Sequence, residues 1–456
     1  MTSARGLLLI PLAAAALFAA CTTSSINVPA PRASATATGA ATGAGAATPT
    51  PSGATPVPSA TTPTPSATTS NAGANPTPSA TGSRATSGPS ASPGVTPSPT
   101  ATTATCISGP NPASTTIVRN PVKLGAYKVD PSKIFVAGIS SGGFFGVQMH
   151  VAHSATFKGA AIYAGGVYDC SGSGNIAQAL LDCGGETLPN CQAAYSSELS
   201  SSESYLDAQS AAGTIDPSSN LRGQPVYLWS GTKDQVVNPQ EKADLDSEYL
   251  HYGAKVTFEN TYPANHGWES PQGEVPCPTA TEPYMISCDN GSTPYDSEKT
   301  WLTLFFGALN PRNDGTLGGS LINFDQTEFG AAATNSMDTN GWVFVPQSCA
   351  TGATCGFILA LHGCIQNQAL AQQQVTGPGT KWTTEAGIDE WADTNNIIVL
   401  YPFAIEADAT QVGTTVGTNP MGCWDWWGYD DPNFALKSGT QMSILYKMVQ
   451  RVTGVP

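Results

Sequence analysis

The sequence predicts an α/β architecture, a mostly parallel sheet with helices on both faces. Short apolar runs alternate with helix-patterned segments from Cys106 onward. No internal repeat and no second break in composition divides 106–456, which reads as one large domain. A glycine-rich junction at 138–143 joins an apolar run to a helical pattern.

The expected strands are 133–139 (KIFVAGI), 159–165, 225–231, 255–261, 342–348, 356–362 and 397–403. Helices are expected near 143–153, 191–211, 239–251, 297–307, 380–394 and 438–452. Ahead of them, residues 1–21 (MTSARGLLLIPLAAAALFAAC) place Arg5 before an apolar stretch too short to span a bilayer, the pattern of a secretory signal. The ending Leu17-Phe18-Ala19-Ala20-Cys21 resembles a bacterial lipobox, which predicts a lipidated Cys21 and membrane attachment through it. Residues 22–105 are almost entirely Ala, Thr, Ser, Pro and Gly, with Arg32 and Arg84 their only charges. With nothing to bury, this segment is expected to be a disordered stalk.

Charged residues make up 11% of the chain, and the net charge is −15 with no basic cluster. Nucleic acid is therefore not an expected partner, and a neutral or apolar substrate is. The chain has 11 cysteines. Those beyond Cys21 are Cys106, Cys170, Cys183, Cys191, Cys277, Cys288, Cys349, Cys355, Cys364 and Cys423, an even set that suggests disulfides in an exported protein. Cys349/Cys355 and Cys277/Cys288 are close enough to form small clips, although spacing does not determine pairing. No C-x-x-C or H-x-x-x-H pair suggests a metal site, and no cofactor is expected.

Gly138-Ile139-Ser140-Ser141-Gly142 is G-x-S-x-G between a strand and a helix. That is the nucleophile elbow of α/β-hydrolases: small neighbours permit a strained turn that exposes the Ser140 hydroxyl, and the Ser141 N–H is placed to stabilise an oxyanion. A serine needs a base and an acid, which follow it in that order: Ser, acid, His. Among the 5 histidines, His150 and His153 fall on the helix after the elbow and His251 at a helix end. His266 lies in a loop just after strand 255–261, where a base belongs. Asp234, in the loop after strand 225–231, is the expected acid; Asp246, inside the next helix, is the weaker competitor.

Strand 356–362 ends in His362-Gly363, the α/β-hydrolase pattern for the other half of the oxyanion hole. It follows the base instead of preceding the elbow. Joining 456 to 106 would restore the usual order, so the chain reads as a circular permutant.

Several motifs then carry a resemblance: 129–143, Gly231-x-x-Asp234-x-x-Val237-x-Pro239, Asn265-His266-Gly267-Trp268, Leu361-His362-Gly363-Cys364-x-Gln366, and Asn419-Pro420-Met421-Gly422-Cys423-Trp424-Asp425-Trp426-Trp427. Together they resemble the catalytic domain of extracellular polyhydroxybutyrate depolymerases, in the permuted single-domain form. Phe324-Asp325-Gln326 and Asp338 to Pro346 resemble its connecting region. The resemblance implies a triad of Ser140, Asp234 and His266, with the N–H groups of Ser141 and Cys364 as oxyanion donors. It also implies a Cys364–Cys423 bond and a cleft lined by Trp424, with Trp426 and Trp268 nearby. The implied substrate is a polyester or oligoester, and the expected oligomeric state is a monomer. A feruloyl or acetylxylan esterase, a non-catalytic surface binding protein on the same fold, and a peptidase are the competing readings.

Overall fold

The computed structural model describes residues 120–172, 179–184, 187–188, 191–192, 197–289, 291, 293–407 and 419–456. The expected signal (1–21), the stalk (22–105), the start of the 106–456 domain and Cys106 lie outside the described residues.

All seven expected strands form, within a residue or two at most ends: β1 (Val129–Ile139), β2 (Ala160–Tyr163), β3 (Pro225–Trp229), β4 (Lys255–Glu259), β6 (Asn340–Val345), β7 (Cys355–Leu361) and β8 (Ile397–Tyr401). One strand of the main sheet was not expected, β5 (Ser320–Asp325). It is an edge strand with mostly half-buried side chains, so no continuous apolar run marks it. The eight strands form one sheet in the order β5-β6-β8-β7-β1-β2-β3-β4. β6 pairs antiparallel with both β5 and β8, and every other pairing is parallel. Counted from β5, the spatial order reads 1-2-4-3-5-6-7-8. The chain enters that count at its fifth strand, which is the permutation expected from the sequence.

Side chains alternate across β1. Ile134 and Val136 join one core, and Phe135, Ala137 and Ile139 join the other. The first core packs against helices α1 (Ser141–Ala152), α2 (Leu199–Ala212), α3 (Pro239–His251) and α7 (Thr440–Thr453); the second packs against α4 (Ser297–Phe306), α5 (Lys381–Glu385) and α6 (Ile388–Asn395). The helix expected over 380–394 is two helices. Gly387 separates them with φ of 72°, where any Cβ would meet the Ser270 hydroxyl at 2.7 Å. The helix expected over 191–211 begins at Leu199, and Cys191–Gln192 instead pair with Thr187–Leu188 as a short antiparallel ladder.

Four disulfides occur among the described residues: Cys170–Cys183, Cys277–Cys288, Cys349–Cys355 and Cys364–Cys423. Both short clips expected from spacing form, and so does the pair implied by the resemblance. The segment before β1 runs along the edge of the sheet. Val122 exchanges backbone hydrogen bonds with Asn323 and Asp325, and the Tyr127 N–H donates to Val452 O at 2.9 Å, near the end of α7.

Two carboxyls, Glu269 and Glu298, are fully buried beside the second core. Burial pushes both pKa values up, and for Glu298 repulsion from Glu269 adds to it. Both are neutral in the fold at pH values where the unfolded chain would ionise them. Their contribution to stability is therefore fully present below the ordinary carboxylate range and is lost as the pH climbs from there toward the raised folded value. Glu269→Gln removes one of these penalties. In thermal melts it should raise the melting temperature more at about pH 8 than at about pH 4.5; equal gains at both would show that Glu269 is not held neutral.

Candidate active site

The β1–α1 junction has no residue to spare. β1 ends at Ile139 and α1 begins at Ser141, so Ser140 alone makes the turn, with φ 55° and ψ −122°. A non-glycine residue there costs about 1–3 kcal/mol. The strained turn is held by Ser140 N–H to Tyr163 O (2.9 Å) and by Phe144 N–H to Ser140 O (2.8 Å). The flanking glycines follow from close backbone approach. A Cβ at Gly138 would run into the carbonyl of Gly142, and one at Gly142 into the carbonyls of Leu361 and His362. The Ser141 N–H opens α1, among the amides with no partner inside the helix.

The second contact at Gly142 explains the next part of the site. Gly363, just past β7, lies against the elbow: a Cβ there would sit 3.3 Å from Ser140 Cβ. His362 shapes this loop. Its Nδ1–H donates to Gly363 O at 2.7 Å, and its Nε2 accepts from the Ala404 N–H at 3.1 Å. Burial drives its pKa down to about 4, so it is a neutral structural group. Ile365 carries φ of 62°, strained for a β-branched residue. Its N–H donates to Met421 O (2.8 Å), and the adjoining Cys364 is bonded to Cys423. Gln366 is fully buried; it accepts from the Gly363 N–H at 2.7 Å and donates to Pro283 O at 2.9 Å.

The loops that carry Asp234 and His266 follow β3 and β4, which are neighbours in the sheet. Thr232 N–H donates to Tyr262 O (3.0 Å) and Lys233 N–H to Ala264 O (2.9 Å). Asn265 Oδ1 accepts from both Gln235 N–H (3.1 Å) and His266 N–H (2.9 Å). These bonds bring His266 Nδ1 to 3.2 Å from Asp234 Oδ2, both side chains being buried. Burial works to raise the Asp234 pKa, but the Lys242 ammonium and the His266 imidazole outweigh it and hold the carboxyl well below the usual range. An ionised carboxylate only accepts, so Nδ1 carries a ring proton toward it, and in the neutral tautomer the lone pair is on Nε2.

Ser140, Ser141, His266 and Cys364 line one cavity of about 220 Å³, walled by Phe144, Leu180, Val236, Val237, Met421 and Trp426 among others. None of its described lining residues is Asp, Glu, Lys or Arg. Two expected cleft residues are elsewhere. Trp424 is fully buried beneath the loop, stacked near Phe145 (5.9 Å) and close to His362 (5.2 Å). Trp268 lies in the second core against Tyr163 (3.9 Å), its indole N–H donating to Ala386 O at 3.0 Å. The indole on the wall is Trp426, stacked on Phe144 at 4.5 Å. Asp425 decides which ring faces out: it accepts the N–H groups of Gly428, Tyr429, Asp430 and Asp431 and so curls the segment around itself.

Sequence reasoning did not single out Asn265, Tyr284, Lys242 or Ile365 for the site. Tyr284 turns its ring edge toward His266 (centroids 6.0 Å apart) from the wall of the cavity. Asn265 and Gln366 were visible only as parts of motifs. Asp246, the competing acid, lies within α3, while His150 is buried between Tyr249 (2.9 Å) and Gln224 (2.6 Å).

No family model matches the chain. It is similar to a poly(3-hydroxybutyrate) depolymerase of Delftia acidovorans, 38% identical over 342 residues, which cover 74% of this chain and 63% of that protein. It is also similar to a polyhydroxybutyrate depolymerase of Talaromyces funiculosus, 33% identical over 338 residues, covering 72% of this chain and 92% of that one. Among solved structures, a PHB depolymerase from Penicillium funiculosum superposes with a TM-score of 0.62 at 32% identity, over 73% of this chain and 99% of that one. A serine-to-alanine PHB depolymerase complexed with an R3HB trimer gives the same values.

The backbone approach at Gly142 has a direct test. Gly142→Ala should lower stability by about 1–3 kcal/mol in denaturant unfolding, since two carbonyls must move. An unchanged midpoint would show that the elbow and the Gly363 loop do not press on each other.

Proposed function

The chain belongs to the polyhydroxybutyrate depolymerases, and from that premise we propose that it is an exported serine esterase that cleaves poly(3-hydroxybutyrate) or its oligomers. One observation carries the reading. The strained Ser140 and the buried Asp234–His266 pair open onto a single apolar cavity. An uncharged wall suits a neutral polyester, and a serine that shares its cavity with an imidazole suits acyl transfer.

The chemistry follows in two halves. Ser140 Oγ bonds to the ester carbonyl carbon as its proton passes to His266 Nε2. The resulting oxyanion is held by the N–H groups of Ser141 and Cys364, each worth about 3–4 kcal/mol in sites of this kind. The C–O bond breaks, and His266 returns the proton to the departing hydroxyl end. Water then repeats the attack on the acyl-enzyme and regenerates Ser140. Asp234 keeps the proton on Nδ1 and stabilises the imidazolium. Trp426 and Phe144 would pack against the polymer chain. Residues 1–21 would direct export, with Cys21 carrying lipid and 22–105 holding the catalytic domain away from the surface. The four disulfides fit an oxidising compartment.

Ser140→Ala should abolish hydrolysis of both amorphous poly(3-hydroxybutyrate) and short acyl nitrophenyl esters. Equal activity in wild type and variant would remove the mechanism, and wild-type activity on the small esters alone would remove the polymer. Asp234→Asn should lower kcat by a factor on the order of 10⁴, because the amide favours the wrong imidazole tautomer. A loss below tenfold in steady-state assays would show that Asp234 does not orient the base.

A further inference from the structure

Lys242 stands where helix chemistry disfavours it. It lies in the first turns of α3 (Pro239–His251), the positive end of the helix dipole. Its side chain is only 2% exposed, so the desolvation cost is nearly complete. Lysines at helix starts are ordinarily solvated. Here the ammonium turns inward and donates to Asp234 Oδ2 at 2.8 Å and to Val237 O at 2.5 Å.

Oδ2 is the oxygen that also receives His266 Nδ1–H, at 3.2 Å. The other oxygen, Oδ1, accepts the N–H groups of Val236 (2.9 Å) and Val237 (3.0 Å). Four donors from three segments therefore fix the carboxylate, and Val236 and Val237 are themselves cavity wall. Of the groups facing this pair, α3 also supplies Glu241, whose carboxylate accepts the Val167 N–H at 3.0 Å. The base loop supplies His266, and Tyr284 faces the imidazole from beyond it.

We propose that Lys242 is a positioning residue that acts through Asp234: by sharing Oδ2 with the imidazole, its ammonium fixes the acid and offsets part of the carboxylate's pull on the imidazole proton. The reasoning is electrostatic. A protonated imidazole next to a lone carboxylate gains the whole attraction of that charge. With an ammonium on the same oxygen, part of the attraction is cancelled and a second cation faces the imidazolium. Asp234 stays ionised as well, being held far below the usual carboxylate range once burial is outweighed by Lys242 and His266. This inference rests on the serine esterase reading above.

The test is the pH profile of kcat/KM on a short acyl nitrophenyl ester for the full chain and for Lys242→Met. Loss of the ammonium should move the acid limb upward by about one pH unit. Lys242→Arg keeps the charge and should leave the limb near that of the wild type. If Lys242→Met fails to fold, Lys242→Gln decides the matter, since it can still donate to Asp234 but carries no charge and should move the limb the same way. A variant that folds, as judged by near-UV circular dichroism, yet keeps the wild-type limb overturns the proposal and leaves Lys242 a structural ion pair. The esterase reading fails separately, through a wild type whose hydrolysis does not depend on Ser140.

Discussion

The contact between the backbone at Gly142 and the carbonyls of Leu361 and His362 is the constraint from which the site is built. It presses the end of β7 against the elbow at the end of β1, in the middle of the sheet, where the two strands pair in parallel. A side chain on Gly142 would push the loops apart. Because they touch, Gly363 lies against Ser140, and Cys364 shares its cavity. The strain at Ser140 and Ile365, about 1–3 kcal/mol each, is borne by the surrounding sheet and by the Cys364–Cys423 bond. A cross-link over a loop of that length typically contributes about 2–4 kcal/mol.

The same contact makes the permutation harmless. What the site requires is adjacency of strand ends, and chain order does not enter into it. β7 and β1 pair whichever comes first, and the loops of Asp234 and His266 follow the paired strands β3 and β4. Where the chain has been rerouted, the segment before β1 is sewn onto the sheet edge and the end of α7 by backbone hydrogen bonds from Val122 and Tyr127.

Much of this was legible in the residues. Apolar runs marked the seven strands that lie within the sheet or carry clear β patterns, and the G-x-S-x-G junction marked the elbow because glycine there answers to sterics that any reader can reconstruct. That the loops of Asp234 and His266 would meet was legible from strand order, and the structure brings the two side chains to 3.2 Å. What was hidden depends on side-chain direction. β5 is half-exposed and carries no strong pattern. Trp424, Trp426 and Trp268 look alike in sequence; the Asp425-centred turn sets which of the first two reaches the wall, and Trp268 is held in the second core by Tyr163 and Ala386. Lys242 reads as an ordinary helix surface cation until the helix is docked and its ammonium is found on the acid.

The central claim is that three distant loops bring a nucleophilic serine, an imidazole and a carboxylate to work together at one cavity. Labelling with a fluorophosphonate, followed by peptide mapping, tests it most directly, because the probe reports nucleophile, base and oxyanion donors together. The account predicts a single adduct per chain, on the peptide that contains Ser140, formed by the folded protein and lost on denaturation. An unlabelled folded protein, or an adduct on a different serine, would contradict it.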